Sequence, residues 1–599
     1  MQRDPVVVVV TLACADETTL RAIAEYVYVQ SVDEWLWLVC ASDLPADLAS
    51  DPRIVSFDGN LSDARLSEHC GAADAWLFLD QLPPIHAPQA FEQAWWFFRS
   101  HPRIPYAALG EDAGVGRLEA RRRPGSGCYW MRGQGGFSRA PNWHLPRGSK
   151  HLLMLLPWLE PGGADRCNLD IATRLIAQGW TLTVAATLEA AHRWAPRFRE
   201  LTDDILVLPS FLAAEASTEF LARLLETRSP DLVLLSNCRF AYESLDLIHR
   251  LRPGVPVIDL NHMEEDWEAG GFPGMACRYD AALGRHWVVS QHLQRWMHAR
   301  GVPMSRIDVL HWFADSCFWR PDQDVRLRLR RQLGIDMRTP VIAYAGRLCQ
   351  QKRPDLFVRS LRELADKGCD FAALVIGDGE LAGQLRSALR REGLTERVHM
   401  LGWLDDEGLR QAFQAADLFF LPSESEGIAL VLYEAMACGL AVVAADVGGQ
   451  AELVSPECGH LIAPMTNNLV AAYADALEQL VCNREALRDM GRAARRRIIE
   501  KFDTGYFTER LLHLLGEAEW VSVPNARGLD DEASRTAVAQ LQWQWNSRRL
   551  LAAFGRWKPG QVIANSPPVR RAVKAAFHMK AFGLARTWAR HRKQGITDE

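Results

Sequence analysis

Leu418-Phe419-Phe420-Leu421-Pro422-Ser423-Glu424-Ser425-Glu426-Gly427-Ile428-Ala429-Leu430-Val431-Leu432-Tyr433-Glu434-Ala435-Met436-Ala437-Cys438-Gly439 is the stretch on which the fold turns. Its four leading apolar residues, closed by Pro422, read as a buried strand. Gly427 then opens a helix that Gly439 stops. An open helix N-terminus offers unpaired N–H groups and a partial positive charge, which suit a phosphate. Glu426 stands at that N-terminus and Glu434 about two turns on, roughly 12 Å along the axis at about 1.5 Å per residue. One carboxylate can reach sugar hydroxyls while the other reaches further along a nucleotide.

The same strand–loop–helix pattern recurs around this stretch. Strand Val341 to Ala345 runs into Gly346-Arg347-Leu348-Cys349-Gln350-Gln351-Lys352-Arg353-Pro354, which sets two cations at a strand's carboxyl end before a helix with Pro354 in its first turn. Arg347 and Lys352 could clamp a diphosphate there. Strand Ala373 to Ile376 ends in Gly377-Asp378-Gly379, where small residues let a ligand or backbone come close. Strand Ala441 to Ala444 completes the unit.

An earlier unit has the same rhythm: strand His151 to Leu156, a loop with Gly162 and Gly163, helix Asp165 to Gln178 and strand Thr181 to Ala185. Strands Ile205 to Leu208, Asp231 to Leu235, Val257 to Leu260 and Trp287 to Ser290 follow. Strands alternating with helices imply parallel sheets covered on both faces. Two doubly wound units in tandem would each turn a ligand-binding edge to the cleft between them.

With 599 residues the chain is too long for one core, so three or four domains are expected. The net charge of -6 argues against a general nucleic-acid binder. Its cysteines include no C-x-x-C pair and no zinc-ligand spacing, and they read as buried thiols in a reducing, cytoplasmic compartment. The apolar run Val6 to Leu12 is too short to span a bilayer and reads as a first strand, and no other stretch reaches transmembrane length. A Gly/Arg/Pro-rich stretch, Arg121 to Gly127 and then Gly133 to Gly136, looks like a linker closing a first segment.

Arg347 and Lys352 after a glycine, the Gly-Asp-Gly turn, Glu-x7-Glu with Glu-Ala-Met-Ala-Cys-Gly, and Val447-Gly448-Gly449-x-x-Glu452 resemble the GT-B glycosyltransferases of family 4, which are retaining enzymes. The resemblance covers about residues 150 to 520. It implies a fold of two tandem Rossmann-like domains, 141–330 on the acceptor side and 331–520 for the nucleotide-sugar donor. It also implies that Arg347 and Lys352 neutralise the donor diphosphate, that Glu426 holds the donor sugar, and that Glu434 holds the ribose. Gly346, Gly377, Gly427, Ile428, Ala429 and Leu430 would line the donor, and Gly162 and Gly163 would approach its phosphates. His262, in Asp259-Leu260-Asn261-His262, matches the family's acceptor-side histidine. Plainer readings exist for three of these positions: a structural histidine at 262, a tight turn at 162–163, and at Asp378 a turn residue bonding its own backbone.

Two departures from the family pattern bear on substrate. His311-Trp312-Phe313-Ala314-Asp315 replaces the usual Asn-Gly-Val-Asp, and Gly427-Ile428-Ala429 replaces Gly-Phe-Gly, so that Ala429 adds a methyl where the donor sugar would lie. The mechanism the family implies is metal-independent, with no cofactor. Two cations and a helix N-terminus stabilise the departing diphosphate, which helps deprotonate the acceptor on the front face.

The two ends read differently. Gln30 to Val39 and Gly71 to Asp80 resemble the opening of a GT-A transferase of family 2, whose Asp-x-Asp holds a divalent metal. Here the motif is Asp80-Gln81-Leu82 and the expected Asp pair is Ala41-Ser42, so residues 1–140 are expected to be a truncated, degenerate, noncatalytic GT-A-like domain. In the tail, 521–599, the segment Trp543 to Lys593 mixes Trp, Phe and Leu with a dozen Lys and Arg, interrupted at Pro567-Pro568. Such helices either bind an anionic membrane surface peripherally or dock on the protein with a solvated basic face.

The function expected is a retaining hexosyltransferase-type glycosyltransferase, moving a sugar from a nucleoside-diphosphate sugar (UDP- or GDP-linked) to a saccharide or lipid-linked saccharide in cell-surface polysaccharide or glycoconjugate biosynthesis. The alternatives are a nucleotide-sugar-binding pseudoenzyme or scaffold without transfer, and a GT-B epimerase or phosphorylase.

Overall fold

The computed structural model describes residues 7–11, 17–28, 35–40, 44–57, 75–79, 90–101, 106–112, 115–121, 129–132, 150–265, 270–516, 538–542 and 544–546. The chain divides into two compact units: Met1–Asp259 with Tyr279–Gly284 and Trp520–Glu599, and Leu260–Arg278 with Arg285–Glu519.

The second unit is built on a parallel sheet in the order Val398–Gly402, Ala372–Ile376, Val341–Ala345, Leu418–Leu421, Ala441–Ala445, Gly459–Ile462. Every residue of Val341–Ala345, Ala372–Ile376, Leu418–Leu421 and Ala441–Ala445 is buried, as expected of strands covered on both faces. Helices Pro354–Asp366, Ala382–Arg391 and Leu469–Val481 pack Leu356, Leu361, Leu385, Tyr473 and Leu477 into one apolar cluster with Ile342, Tyr344, Val375 and Phe420. Strand order reverses between Val341–Ala345 and Leu418–Leu421. In open α/β sheets that reversal opens a crevice at the strands' carboxyl ends.

The first unit holds two sheets. In one, Ile205–Val207, Trp180–Ala186, Lys150–Leu156 and Leu232–Ser236 pair in parallel in that order, with a reversal between the last two. The other runs Ile54–Phe57, Trp35–Cys40, Val7–Thr11, Ala75–Leu79, Tyr129–Arg132, Tyr106–Asp112, Val115–Arg121. This second sheet is mixed. Its first four strands are parallel, but Tyr129–Arg132, Tyr106–Asp112 and Val115–Arg121 pair antiparallel. Only two residues join the last two strands, too few for a parallel crossover.

Helix Ala90–Ser100 is buried along most of its length in this unit. Its Glu92 accepts a 2.8 Å bond from Arg228, whose guanidinium also bonds both carboxylate oxygens of Asp204 at 3.1 Å. All three side chains are almost wholly buried. Trp96 stacks edge-on against Phe220 beside them. Near the chain's end, Leu541 and Trp545 are buried, and the Trp545 indole donates to the Thr187 carbonyl at 2.7 Å. The positions Asp80, Ala41 and Ser42, most of the linker stretch, and the basic tail beyond residue 546 lie outside the described residues. Among the described residues no helix is long and apolar enough to cross a membrane. The cysteines differ from expectation in part, since Cys317 and Cys482 are exposed.

Candidate active site

The two loops at the reversal of the second unit's sheet, 346–353 and 422–429, are stitched together. Gln351 Nε2 donates to the Ser425 carbonyl and the Glu424 N–H to the Gln351 carbonyl, both at 2.8 Å. The buried Tyr344 hydroxyl holds the Lys352 carbonyl at 3.1 Å. These bonds bring Lys352 Nζ to 2.5 Å from Glu426 Oε1. Both side chains are well enclosed, at 17% and 8% exposure, so the pair is weakly screened by solvent. Arg347 stands on the same loop, exposed, and makes no ion pair among the described residues.

Glycines set how closely this edge packs. A Cβ at Gly377 would collide with the Gly346 carbonyl, and one at Gly379 with that of Leu348. Both have positive φ, so the small residues here admit neighbouring backbone. Asp378 accepts a bond from the Gly379 N–H at 2.8 Å, the behaviour of a turn residue. Gly427 lies against the His262 carbonyl, where any side chain would clash. His262 directly follows strand Val257–Asn261 and is thereby placed beside the Glu426–Gly427 segment. Gly448, at φ 56°, packs on the Glu426 carbonyl, while the Gly449 N–H donates to the Gly427 carbonyl at 2.6 Å.

One expectation is corrected. The helix begins at Leu430, with Ala429 as its extended N-cap, and not at Gly427. Three non-helical residues, Gly427 to Ala429, therefore separate Glu426 from the helix, and the axial spacing expected between Glu426 and Glu434 does not apply. Ile428 and Ala429 are buried, and Leu430 and Glu434 half-buried on the first turns. Gly162 and Gly163 belong to the other unit, at the start of helix Gly163–Ala177.

The sequence did not disclose what Glu452 does. Its carboxylate accepts from the N–H groups of Gln291 and His292, at the start of helix Gln291–His298, and from His311 Nε2, all at 2.7 Å. Burial pushes this carboxyl up, but the bonds from His311 and the two N–H groups outweigh it and hold it below the usual range. Beside it, the Glu264 carboxylate at 2.7 Å raises His292. Desolvation alone lowers His262 to about 4, so its imidazole is neutral at pH 7.

Two tandem Rossmann-like domains, each with a strand-order reversal, make this the GT-B glycosyltransferase fold. Anabaena HepE, solved in complex with UDP, aligns at a TM-score of 0.53 and 22% identity over 61% of this chain and 99% of its own. Sucrose-phosphate synthase of Thermosynechococcus elongatus aligns at 0.50 and 18% identity over 61% and 98%.

Residues 325–497 match the family described as glycosyl transferases group 1. Over 198 residues the chain is 37% identical to a D-inositol 3-phosphate glycosyltransferase of Nocardia farcinica, covering 32% of this chain and 43% of that protein. It is 30% identical over 221 residues to the alpha-maltose-1-phosphate synthase of Mycolicibacterium smegmatis, covering 35% and 56%. The match thus spans about half the length of these curated relatives.

Proposed function

We propose that the protein is a retaining glycosyltransferase that takes a sugar from a nucleoside-diphosphate donor and passes it to a saccharide or lipid-linked saccharide, without a metal or other cofactor. The observation that carries this reading is the convergence of Lys352 and Glu426 at the reversal of the second sheet. The matched family segment and the sugar-transferring relatives named above support it.

On donor binding, Lys352 turns from Glu426 to the diphosphate, joined by Arg347, and Glu426 turns to the hydroxyls of the donor sugar. Glu434 accepts from the ribose, and Gly346, Gly377, Gly427, Ile428, Ala429 and Leu430 line the donor. The bond between the anomeric carbon and the β-phosphate oxygen breaks, and its electron pair goes to the diphosphate. The acceptor oxygen bonds to the anomeric carbon on the same face and its proton passes to the departing phosphate. Once turned to the diphosphate, the enclosed Lys352 and the exposed Arg347 of the same loop stabilise the growing charge. The neutral His262 imidazole can accept a hydrogen bond from a sugar hydroxyl. Gly162 and Gly163 serve the phosphates by resemblance alone.

For the ends of the chain, the degenerate GT-A-like reading of residues 1–140 is supported by the parallel 3-2-1-4 start of their sheet. Peripheral membrane contact through the basic tail is proposed from its composition alone, while Trp545, near the start of that segment, is docked on the protein beside Thr187.

The test is a panel of UDP-, GDP- and ADP-sugars, with and without an acceptor extract, read by nucleoside-diphosphate release. Release that depends on acceptor names the donor. Binding of a donor with no release under either condition would establish the non-transferring scaffold instead.

A further inference from the structure

Two thiols of the second unit meet at the end of its sheet opposite the loops of Lys352 and Glu426. Cys369 lies between helix Pro354–Asp366 and strand Ala372–Ile376, ahead of the strand, whereas Lys352 and Glu426 follow theirs. Cys482 is the C-cap residue of helix Leu469–Val481. The two sulfurs stand 3.4 Å apart across 113 positions of sequence. Cys369 is buried in the apolar cluster that the two helices share, beside Leu480, Val481 and Leu487, while Cys482 is exposed.

Backbone on both sides of the pair is fixed. The Cys369 N–H donates to the Leu364 carbonyl at 3.4 Å and its own carbonyl accepts from Arg397 at 2.9 Å, while the Cys482 N–H donates to the Glu478 carbonyl at 3.0 Å. Lys367 reaches the same helix, with Nζ 2.5 Å from Asp475 and 2.6 Å from Glu478, though such exposed pairs hold weakly. A disulfide bond measures about 2.05 Å, so the sulfurs need close by only about 1.4 Å. Exposure and protonation set an order of reaction. Only Cys482 is open to a dissolved reagent. Desolvation, then the bond with Cys482, push the Cys369 thiol up to about 11, so it keeps its proton while Cys482 is free. Negative charge on Cys482 acts the same way, and Lys367 acts against it. Once Cys482 is covalently capped, its bond and its charge are gone and the influence of Lys367 stays.

We infer that Cys482 and Cys369 form a thiol–disulfide exchange site, which takes a small dissolved disulfide of the glutathione type and closes reversibly into a Cys369–Cys482 cross-link. Cys482 loses its proton to solvent and attacks one sulfur of the reagent; a mixed disulfide forms, and the first reagent thiolate leaves and is protonated. Cys369 then gives its proton to solvent and attacks Cys482 Sγ, which breaks the mixed bond and releases the second reagent thiolate, protonated in turn. Two protein thiols are oxidised and one reagent disulfide is reduced to two thiols. The cross-link ties the turn before strand Ala372–Ile376 to the junction of helices Leu469–Val481 and Arg484–Lys501. Closing a loop of 113 positions strongly restrains the unfolded chain. None of this depends on sugar transfer.

The test equilibrates the full chain in buffers of graded reduced-to-oxidised glutathione ratio and blocks the remaining thiols with N-ethylmaleimide. Peptides are then mapped by mass spectrometry, and melting is followed in parallel. The expected result is a linked Cys369–Cys482 peptide that grows with the oxidised fraction, disappears in dithiothreitol, and accompanies a Tm rise of at least about 5 °C. Cys369→Ser should keep glutathione on Cys482, with no cross-link and no rise. Cys482→Ser, a surface change that leaves the core intact, should show neither cross-link nor rise and serves if Cys369→Ser does not fold. Absence of the linked peptide at every ratio, glutathione that persists on wild-type Cys482, or an equal Tm rise in Cys482→Ser would overturn the site.

Discussion

Gly448→Ala should abolish the proposed transfer by displacing the Glu426 backbone. A methyl carbon at Gly448 would lie 1.8 Å from the Glu426 carbonyl oxygen and 2.7 Å from that of Gly427, where real contacts start near 3.0 Å. The Glu426 backbone must therefore retreat by about 1.2 Å, and a displacement of about 1 Å at a positioning residue costs on the order of 10²-fold in rate. The alanine also pays about 1–2 kcal/mol for a φ of 56°. Gly334→Ala separates the two effects, because Gly334 has φ 70° and no atom within 4 Å of an added Cβ. Both variants should melt slightly earlier than the wild type. Only Gly448→Ala should lose about 10²-fold in kcat/KM, measured by nucleoside-diphosphate release. Equal activity in the two variants would refute the argument that Gly448 sets the place of Glu426.

Three further outcomes follow from charges in the structure. Arg228→Ala removes the guanidinium shared by the buried Asp204 and Glu92 carboxylates and should cost about 3–5 kcal/mol in urea unfolding, with Arg228→Lys recovering only part because it lacks the fork; a loss under about 1 kcal/mol would contradict this. Glu452, held below its ordinary 4.5, contributes stability that is present above that pH and lost as pH falls through its lowered value. The Tm gap between wild type and Glu452→Gln should therefore be widest near neutrality and close toward pH 3, whereas a pH-independent gap would exclude the ionic contribution. His262, lowered to about 4, should show no NMR titration between about pH 5.5 and 8; a midpoint near 6.5 would mean its ring is solvated.

Much of this architecture was legible because parallel strands announce themselves. Val341–Ala345 and Leu418–Leu421 are unbroken apolar runs, and the structure begins and ends them where the sequence suggests. Val398–Gly402 and Gly459–Ile462 were not legible. They are edge strands, half-buried after their first residue, and carry histidine and glycine in place of a continuous apolar run. The helix start was misplaced because Gly427 resembles a helix opener. Its actual constraint is the His262 carbonyl, 165 positions away in sequence. Lys352 and Glu426 were readable as separate loop residues, but their pairing depends on Gln351, whose backbone and side chain both bridge the loops. The Glu452–His311 bond spans 141 residues and no local pattern announces it.

The central claim is that the loops holding Lys352 and Glu426 are the donor site and that they work without a metal. The most direct measurement is nucleoside-diphosphate release from the preferred donor in EDTA, by wild type and by Lys352→Ala. Release that survives EDTA in the wild type and falls by at least about 10²-fold in Lys352→Ala is the result predicted. Release abolished by EDTA, or untouched by the loss of Lys352, would contradict it and move the chemistry elsewhere in the chain.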